Sequence, residues 1–303
     1  VRLGLWQSCG KSTIGKANLK HYKQNSLPIT APAERAAALM GNALFQVPKP
    51  ENEVIKNYAA GSPEKLAVKA ELQRQAATTL EIPVVIGGKR LMTGSTVDVI
   101  CPHKKTKVIA KCHQASSDDV ASAVTTALKA QQEWSQVPWQ ERAAVFLKAG
   151  ELISGKYRAR LNAATMLGQS KTVYQAEIDS ACELIDFLKF NPYFMQQLYG
   201  VQPLSPVGQW NTLEARPLEG FVYAVTPFNF TAISLNLPTA PALMGCSVIW
   251  KPAATATLSA YIGLEILEEA GLPPGVINFV PGNSAAVSNT LLKHRDFSGL
   301  HFT

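Results

Sequence analysis

Residues 221–250 contain no charged side chain, and a stretch of that length could cross a bilayer. Pro227, Pro238 and Pro241, with Asn229 and Asn236, are spread through it. They break it into shorter elements and would be costly in lipid, which excludes a transmembrane helix. The glycine-rich fingerprint G-x-G-x-x-G of many dinucleotide sites is missing from the whole chain. Cysteine is scarce and odd in number, with Cys9, Cys101, Cys112, Cys182 and Cys246 at irregular spacings. That pattern argues against a disulfide framework and fits reduced intracellular thiols. No apolar core of a secretory signal is visible.

Acids are nearly missing from residues 1–47, where Glu34 faces six basic residues. This segment therefore carries five of the seven net positive charges of the chain. The remainder is close to neutral and gives no electrostatic reason to bind a nucleic acid. Basic, rich in Ser and Thr and poor in acids, residues 1–47 read as an organelle transit peptide or a disordered tail. The chain has 303 residues, 47% hydrophobic and 17% charged. It can bury a large core as one large domain or two ordinary ones.

From residue 48 the composition predicts a folded region. Residues 63–80 have helical spacing. Residues 82–86 read as one strand turning at Gly87-Gly88, and residues 97–100 and 108–111 as a second hairpin. That hairpin holds Cys101, His103, Cys112 and His113, but without zinc-site spacing, so they read as ordinary strand residues and no metal is expected. Ser116 and Ser117 cap a helix reaching Trp134, with Asp118 and Asp119 favourable at the positive end of its dipole. Residues 139–156 form an amphipathic helix with Ala144, Phe146, Leu147 and Leu152 as its buried side. Its end, GELISGK, matches much of a phosphate-binding loop. However, Tyr157 stands where Ser or Thr must hold magnesium, and the match closes a helix instead of opening one. It reads as coincidence.

Residues 176–198 read as one long helix whose acids, Glu177, Asp179, Glu183 and Asp186, form mostly a solvated face. Glu183 is the one acid expected to line a pocket. Residues 203–216 look extended and turn-rich. Then, from residue 221, short apolar runs alternate with helical stretches: 221–225, 248–250 and 276–280 read as strands. Repeated β-α units build a parallel sheet covered by helices, with ligands beyond the carboxyl ends of the strands. Asn229 and Lys251 both fall at such ends.

The stretch TPFNF, the WKP after the next strand, EAGLPPGVINFVPG and the terminal HFT resemble the aldehyde dehydrogenase superfamily. The resemblance covers residues 59–303. The upstream run QAEID…ELIDF…FN narrows it to the branch that oxidises glutamate semialdehyde to glutamate with NAD in proline catabolism. It implies an α/β fold: a Rossmann-type parallel sheet with flanking helices. Residues 48–303 would form the NAD-binding domain and 199–216 an arm joining subunits of a homo-oligomer, with the leader directing the chain to the mitochondrial matrix.

In that family a thiol attacks the aldehyde and builds an oxyanion, which a neutral amide stabilises in a site with little water. Asn229 matches that amide. Lys251 matches the lysine that binds the adenosine ribose hydroxyls, and Pro252 follows it. Thr226, Pro227 and Phe228 match positions beside the cofactor. Pro281 and Gly282 match a turn whose missing side chain admits the adenine. Glu183 is assigned to the aldehyde substrate. Where relatives place an acid or Ser after Lys-Pro, this sequence has Ala253 and Ala254. Pro238 is expected to kink a helix or shift its start. The resemblance also implies that the chain stops before the catalytic Cys and Glu, because none of its cysteines sits in a matching context. A catalytically dead NAD-binding or subunit-interaction module is the alternative.

Overall fold

The computed structural model describes residues 44–303, so of the expected leader only residues 44–47 are described. The first helix, α1 (Pro63–Ala77), starts where Ser62 accepts from the Lys65 amide and Pro63 takes the first helical position. The expected single strand at 82–86 is instead two, β1 (Leu80–Ile82) and β2 (Val84–Ile86), parted at Pro83. Proline has no N–H to give a ladder, so the chain changes sheets there. Gly87 and Gly88, both at positive φ, turn β2 into β3 (Lys89–Leu91). β4 (Thr96–Ile100) and β5 (Val108–His113) form the expected hairpin, and β1 joins β5 in parallel as a separate three-stranded sheet.

A reciprocal Ser116–Asp119 capping box opens α2 (Ser117–Trp134). In α3 (Trp139–Leu152) the buried side is Ala143, Phe146, Ala149 and Gly150, with Arg142. Ala144, expected inside, is exposed. The loop-like GELISGK match closes α3 and enters a π-helical turn, Ile153–Tyr157, where the Lys156 ammonium lies 2.8 Å from the Glu269 carboxylate. The match is therefore not the helix end expected, because Arg158–Gln169 continues the helical path without a break; its lysine is paired at the surface. Beyond it come α4 (Arg158–Gln169), α5 (Val173–Ala176), a second π-helical turn Glu177–Glu183, and α6 (Leu184–Gly200).

The main sheet is completed by β6 (Phe221–Val225), α7 (Thr231–Leu243), β7 (Ser247–Lys251), α8 (Thr257–Ala270), β8 (Ile277–Phe279), α9 (Ser284–Leu291) and β9 (Phe297–Phe302). Its order is β3-β2-β8-β7-β6-β9. The strands β8, β7, β6 and β9 are parallel, and β2 and β3 extend the sheet antiparallel. Side chains divide with a period of two. Phe221, Tyr223 and Ile249 pack with Val120, Val124 and Ala127 of α2 and Val287 of α9. Val222, Ala224, Val248 and Trp250 pack on the other face against α3, α6, α7 and α8. Burial on both faces is why these strands read as continuous apolar runs. Among the described residues no helix is long and apolar enough to cross a membrane.

Pro238 and Pro241 both lie inside α7, which is a single element from Thr231 to Leu243. Pro241 cannot donate to the Leu237 carbonyl one turn back. The His301 ring does so instead, its Nδ1 2.8 Å from that oxygen. The last strand thus supplies the hydrogen bond that the proline removes.

Gly220, at φ +86°, leads into β6, and an added Cβ would lie 2.0 Å from the Asp296 carbonyl oxygen. Gly220→Ala should cost about 2–4 kcal/mol in urea unfolding. Gly150→Ala, whose Cβ would only touch Leu188 at 3.6 Å, should be neutral or stabilising by about 0.5–1 kcal/mol. Equal effects of the two would contradict this account of where the backbone is constrained.

Candidate functional site

The parallel strands lie in the order third, second, first, fourth along the chain. The direction of winding therefore reverses between β6 and β9, and the crevice outside the carboxyl ends of strands at such a reversal is where open α/β sheets bind ligands. The loop that leaves β6 there is residues 226–230, which carries Asn229.

This loop is fixed at both ends. At its start the Thr226 amide donates to the Lys251 carbonyl at 3.2 Å. The Thr226 hydroxyl accepts from Trp250 Nε1 at 3.0 Å and bonds Ser234 at 3.0 Å. At its end the buried Asp179 carboxylate accepts from the Thr231 and Ala232 amides at 3.0 and 2.9 Å. Those are two of the unpaired donors at the positive end of α7, where a carboxylate is favoured. Lys171 Nζ lies 2.6 Å from the same carboxylate and 4.3 Å above the Phe230 ring. The Thr231 hydroxyl is enclosed by Thr165, Gln169 and Ser259 at 2.8–3.1 Å. Between these anchors Pro227 is half-buried, while Phe228 and Asn229 are exposed. A rigidly held loop presenting a neutral amide can donate to a developing negative charge.

Lys251 ends β7 with its side chain buried, 5% exposed. Its Nζ has one hydrogen bond, 3.4 Å to the Pro252 carbonyl, and burial pulls its pKa down. Of the other enclosed cations, Arg158 pairs with Glu53 and Glu177 and Lys171 with Asp179, while Arg142 is held by the Leu243 and Val137 carbonyls and the Tyr199 hydroxyl. Pro252 is buried, and the surface is regained at Ala254 and Thr255. Gly282 follows β8, where the Pro281 carbonyl accepts from the Ala115 amide at 2.8 Å. A Cβ at Gly282 would lie 2.9 Å from Val287, so glycine is needed there by packing alone.

Glu183 lines a cavity of about 630 Å³ with Asn52, Glu53, Asp186, Phe187 and Asn191. Burial, and then the nearby Asp179 charge, push its pKa up. Glu53, on the same wall, goes the other way. Burial would raise it, but hydrogen bonds from Lys189, Ser154 and Arg158 hold it at about 2. Neither Asn229 nor Lys251 lines this cavity. The structure therefore groups Thr226, Pro227, Phe228, Asn229, Lys251 and Pro252 at the ends of β6 and β7, and places Glu183 in a neighbouring hollow. The link between them is the second π-helical turn, with Asp179 and Glu183 at successive turns.

Sequence reasoning missed Asp179 and Lys171, and its solvated face for the acids of this helix is wrong for Glu177 and Asp179. Both are buried. Glu177 receives Arg158, Tyr58, Asn162 and the Lys56 amide. The π turn widens the helix by one residue and shifts its face, so ordinary helical spacing misplaces these side chains. Cys101, His103, Cys112 and His113 do not converge: His113 bonds Glu81 and His103 bonds Ser170 and the Cys101 thiol. No metal-holding group of three occurs among the described residues.

The aldehyde dehydrogenase family pattern matches residues 91–303, and the chain belongs to that family. Among curated proteins it is 48% identical over 262 residues to the mitochondrial delta-1-pyrroline-5-carboxylate dehydrogenase of Dictyostelium discoideum, covering 86% of this chain and 47% of that protein. The mitochondrial protein of the same name from Homo sapiens is 42% identical over 84% of this chain and 45% of its own length. The chain thus spans about half the length of the curated relatives it matches. Among solved structures, the delta-pyrroline-5-carboxylate dehydrogenase of Mycobacterium tuberculosis bound with NAD has a TM-score of 0.85 and 50% identity. That match covers 86% of this chain and 49% of the other.

Removing the Asp179 carboxylate leaves Lys171 without its partner and two amides unpaired. Asp179→Ala should therefore cost about 3–5 kcal/mol, and amide exchange should accelerate across residues 226–232 more than in β8. Unchanged exchange in that segment would show that the loop is held by something else.

Proposed function

We propose that this chain carries the nucleotide-binding part of an NAD-dependent enzyme. That enzyme oxidises L-glutamate γ-semialdehyde to glutamate in proline catabolism, in the mitochondrial matrix. The observation that carries the reading is the Asn229 loop, locked at the sheet's reversal point beside a buried cation with no carboxylate partner. The names of the relatives support the substrate and, for several of them, the compartment. The basic composition of residues 1–47 agrees with import.

The residues present fit NAD. Lys251 is a buried ammonium whose single hydrogen bond is long, and ribose hydroxyls are the acceptors it lacks. Pro252 and Gly282 border the same strand ends, and Thr226, Pro227 and Phe228 shape the wall beside Asn229. NAD, when bound, supplies the hydride acceptor. Asn229 holds the oxyanion of the reacting aldehyde, and Glu183 contacts the substrate from the neighbouring cavity.

Cys112, Cys182 and Cys246 are unsuited to be the nucleophile. All are buried, and burial pushes Cys112 up to about 12, Cys182 up to about 11 and Cys246 above its ordinary value. A nucleophilic cysteine needs the opposite shift. Cys9 lies outside the described residues. The 303 residues by themselves should bind NAD in calorimetry without forming NADH from the semialdehyde. Lys251→Gln should weaken NAD at least about tenfold. Turnover that depends on any cysteine of the chain, or an NAD affinity indifferent to Lys251, would overturn the reading.

A subunit-interaction role is favoured by residues 201–216. This segment is a loop whose two legs are tied by the Gln202 side chain, which donates to the Leu213 carbonyl and accepts from its amide at 3.0 and 2.7 Å. Leu204, Val207 and Trp210 at its tip are 92%, 107% and 90% exposed, which suits an apolar arm that a second copy covers. Light scattering should show a dimer or larger assembly that Trp210→Ser together with Leu204→Ser shifts to monomer. A monomeric parent chain would remove this role.

A further inference from the structure

Residue 170 holds a backbone conformation that side chains resist. Glycines apart, only Tyr58 and Ser170 have positive φ among the described residues. Ser170, at φ 54° and ψ 36°, ends α4 in the left-handed region. That position is usually taken by glycine, because a Cβ there crowds the backbone. Backbone kept in such a region is fixed by its surroundings, and such residues cluster at functional sites. Here the hold comes from a distant element. His103, in the turn between β4 and β5, has its Nδ1 2.9 Å from the Ser170 hydroxyl. Its Nε2 lies 3.2 Å from the Cys101 thiol, so the ring is fixed on both sides.

The residues on either side of Ser170 both act on the start of α7. Before it, Gln169 donates to the Thr231 hydroxyl at 2.8 Å. After it, Lys171 Nζ lies 2.6 Å from the Asp179 carboxylate, which accepts from the Thr231 and Ala232 amides. In a continued helix, residues two apart do not face the same way. Gln169 and Lys171 converge on Thr231 because the chain turns left-handed between them. One residue further on, Thr172 opens α5 with a reciprocal Thr172–Gln175 capping box, so the turn is short and closed at both ends. We infer that His103 is a positioning residue for the Asn229 loop. By bonding Ser170 it keeps the left-handed turn, and the turn keeps Gln169 and Lys171 on the first residues of α7, where that loop ends. The inference rests on the reading that the loop borders the cofactor and the reacting aldehyde. It ties a hairpin of the three-stranded sheet to the reversal point of the main sheet.

The test combines amide exchange with calorimetric NAD titration of the 303-residue chain. His103→Ala and Ser170→Ala remove the same hydrogen bond from its two ends. Each should speed exchange across residues 226–232 by about threefold to tenfold, the range that one hydrogen bond supports, with β8 unchanged. NAD affinity should fall by a similar factor. His103→Asn keeps an amide near the Nδ1 position and should restore both readouts. Ser170→Gly adopts positive φ without help, so it should leave both within about twofold and make a second change, His103→Ala, silent. A hairpin damaged for its own sake would exchange faster at residues 96–113 and would not be relieved by a change at residue 170. Unchanged exchange at 226–232 in the alanine variants overturns the inference. A His103→Ala effect that persists in the Ser170→Gly chain also overturns it. Where His103→Ala does not fold, Ser170→Ala decides with the imidazole still in place, and exchange equal to that of the unaltered chain overturns the inference. An unaltered chain that binds no NAD overturns the cofactor reading, and the exchange results then decide the positioning role alone.

Discussion

The carboxylate of Asp179 is the contact on which the site depends. It sits at the positive end of α7, takes two backbone amides and is neutralised by Lys171. A lone buried carboxylate would be costly; this one is paired and hydrogen-bonded on several sides. Because α7 starts where that carboxylate holds it, the five residues before α7 have a fixed exit. Because Trp250 Nε1 holds the Thr226 hydroxyl, they also have a fixed entry. The position of Asn229 is therefore set by two polar contacts, one from the helical layer and one from the neighbouring strand.

The same economy runs through the sheet. Two prolines lie inside the unbroken α7, and the carbonyl freed by Pro241 is taken by His301 of β9, so the helix is tied to the strand beside β6. Arg158, enclosed by Glu53 and Glu177, ties residues 53–58 to α4 and the π turn. Buried Arg142 is satisfied by two carbonyls and the Tyr199 hydroxyl, whereas the Lys251 ammonium has a single long bond to the Pro252 carbonyl.

Much of this was legible beforehand. The apolar runs at 221–225 and 248–250, each followed by a helical stretch, announced a parallel sheet. Their carboxyl ends, where open α/β sheets bind ligands, are where Asn229 and Lys251 were expected and where they lie. The break at Pro83 was not read, although the rule was available: a proline within an apparent strand parts it. The burial of Glu177 and Asp179 could not be read, since a π turn changes helical spacing without any residue type that marks it.

By itself, then, the sequence determined the alternation of strand and helix, the family, and the residue types at the strand ends. Those follow from local periodicity and short motifs, which depend only on neighbours along the chain. The tertiary structure decided which acids are buried, that residues 82–86 serve two sheets, and that Lys251 lacks a carboxylate partner. Those are long-range pairings, such as Asp179 with Thr231 or Leu237 with His301. They depend on where the chain returns in space, which no local pattern encodes.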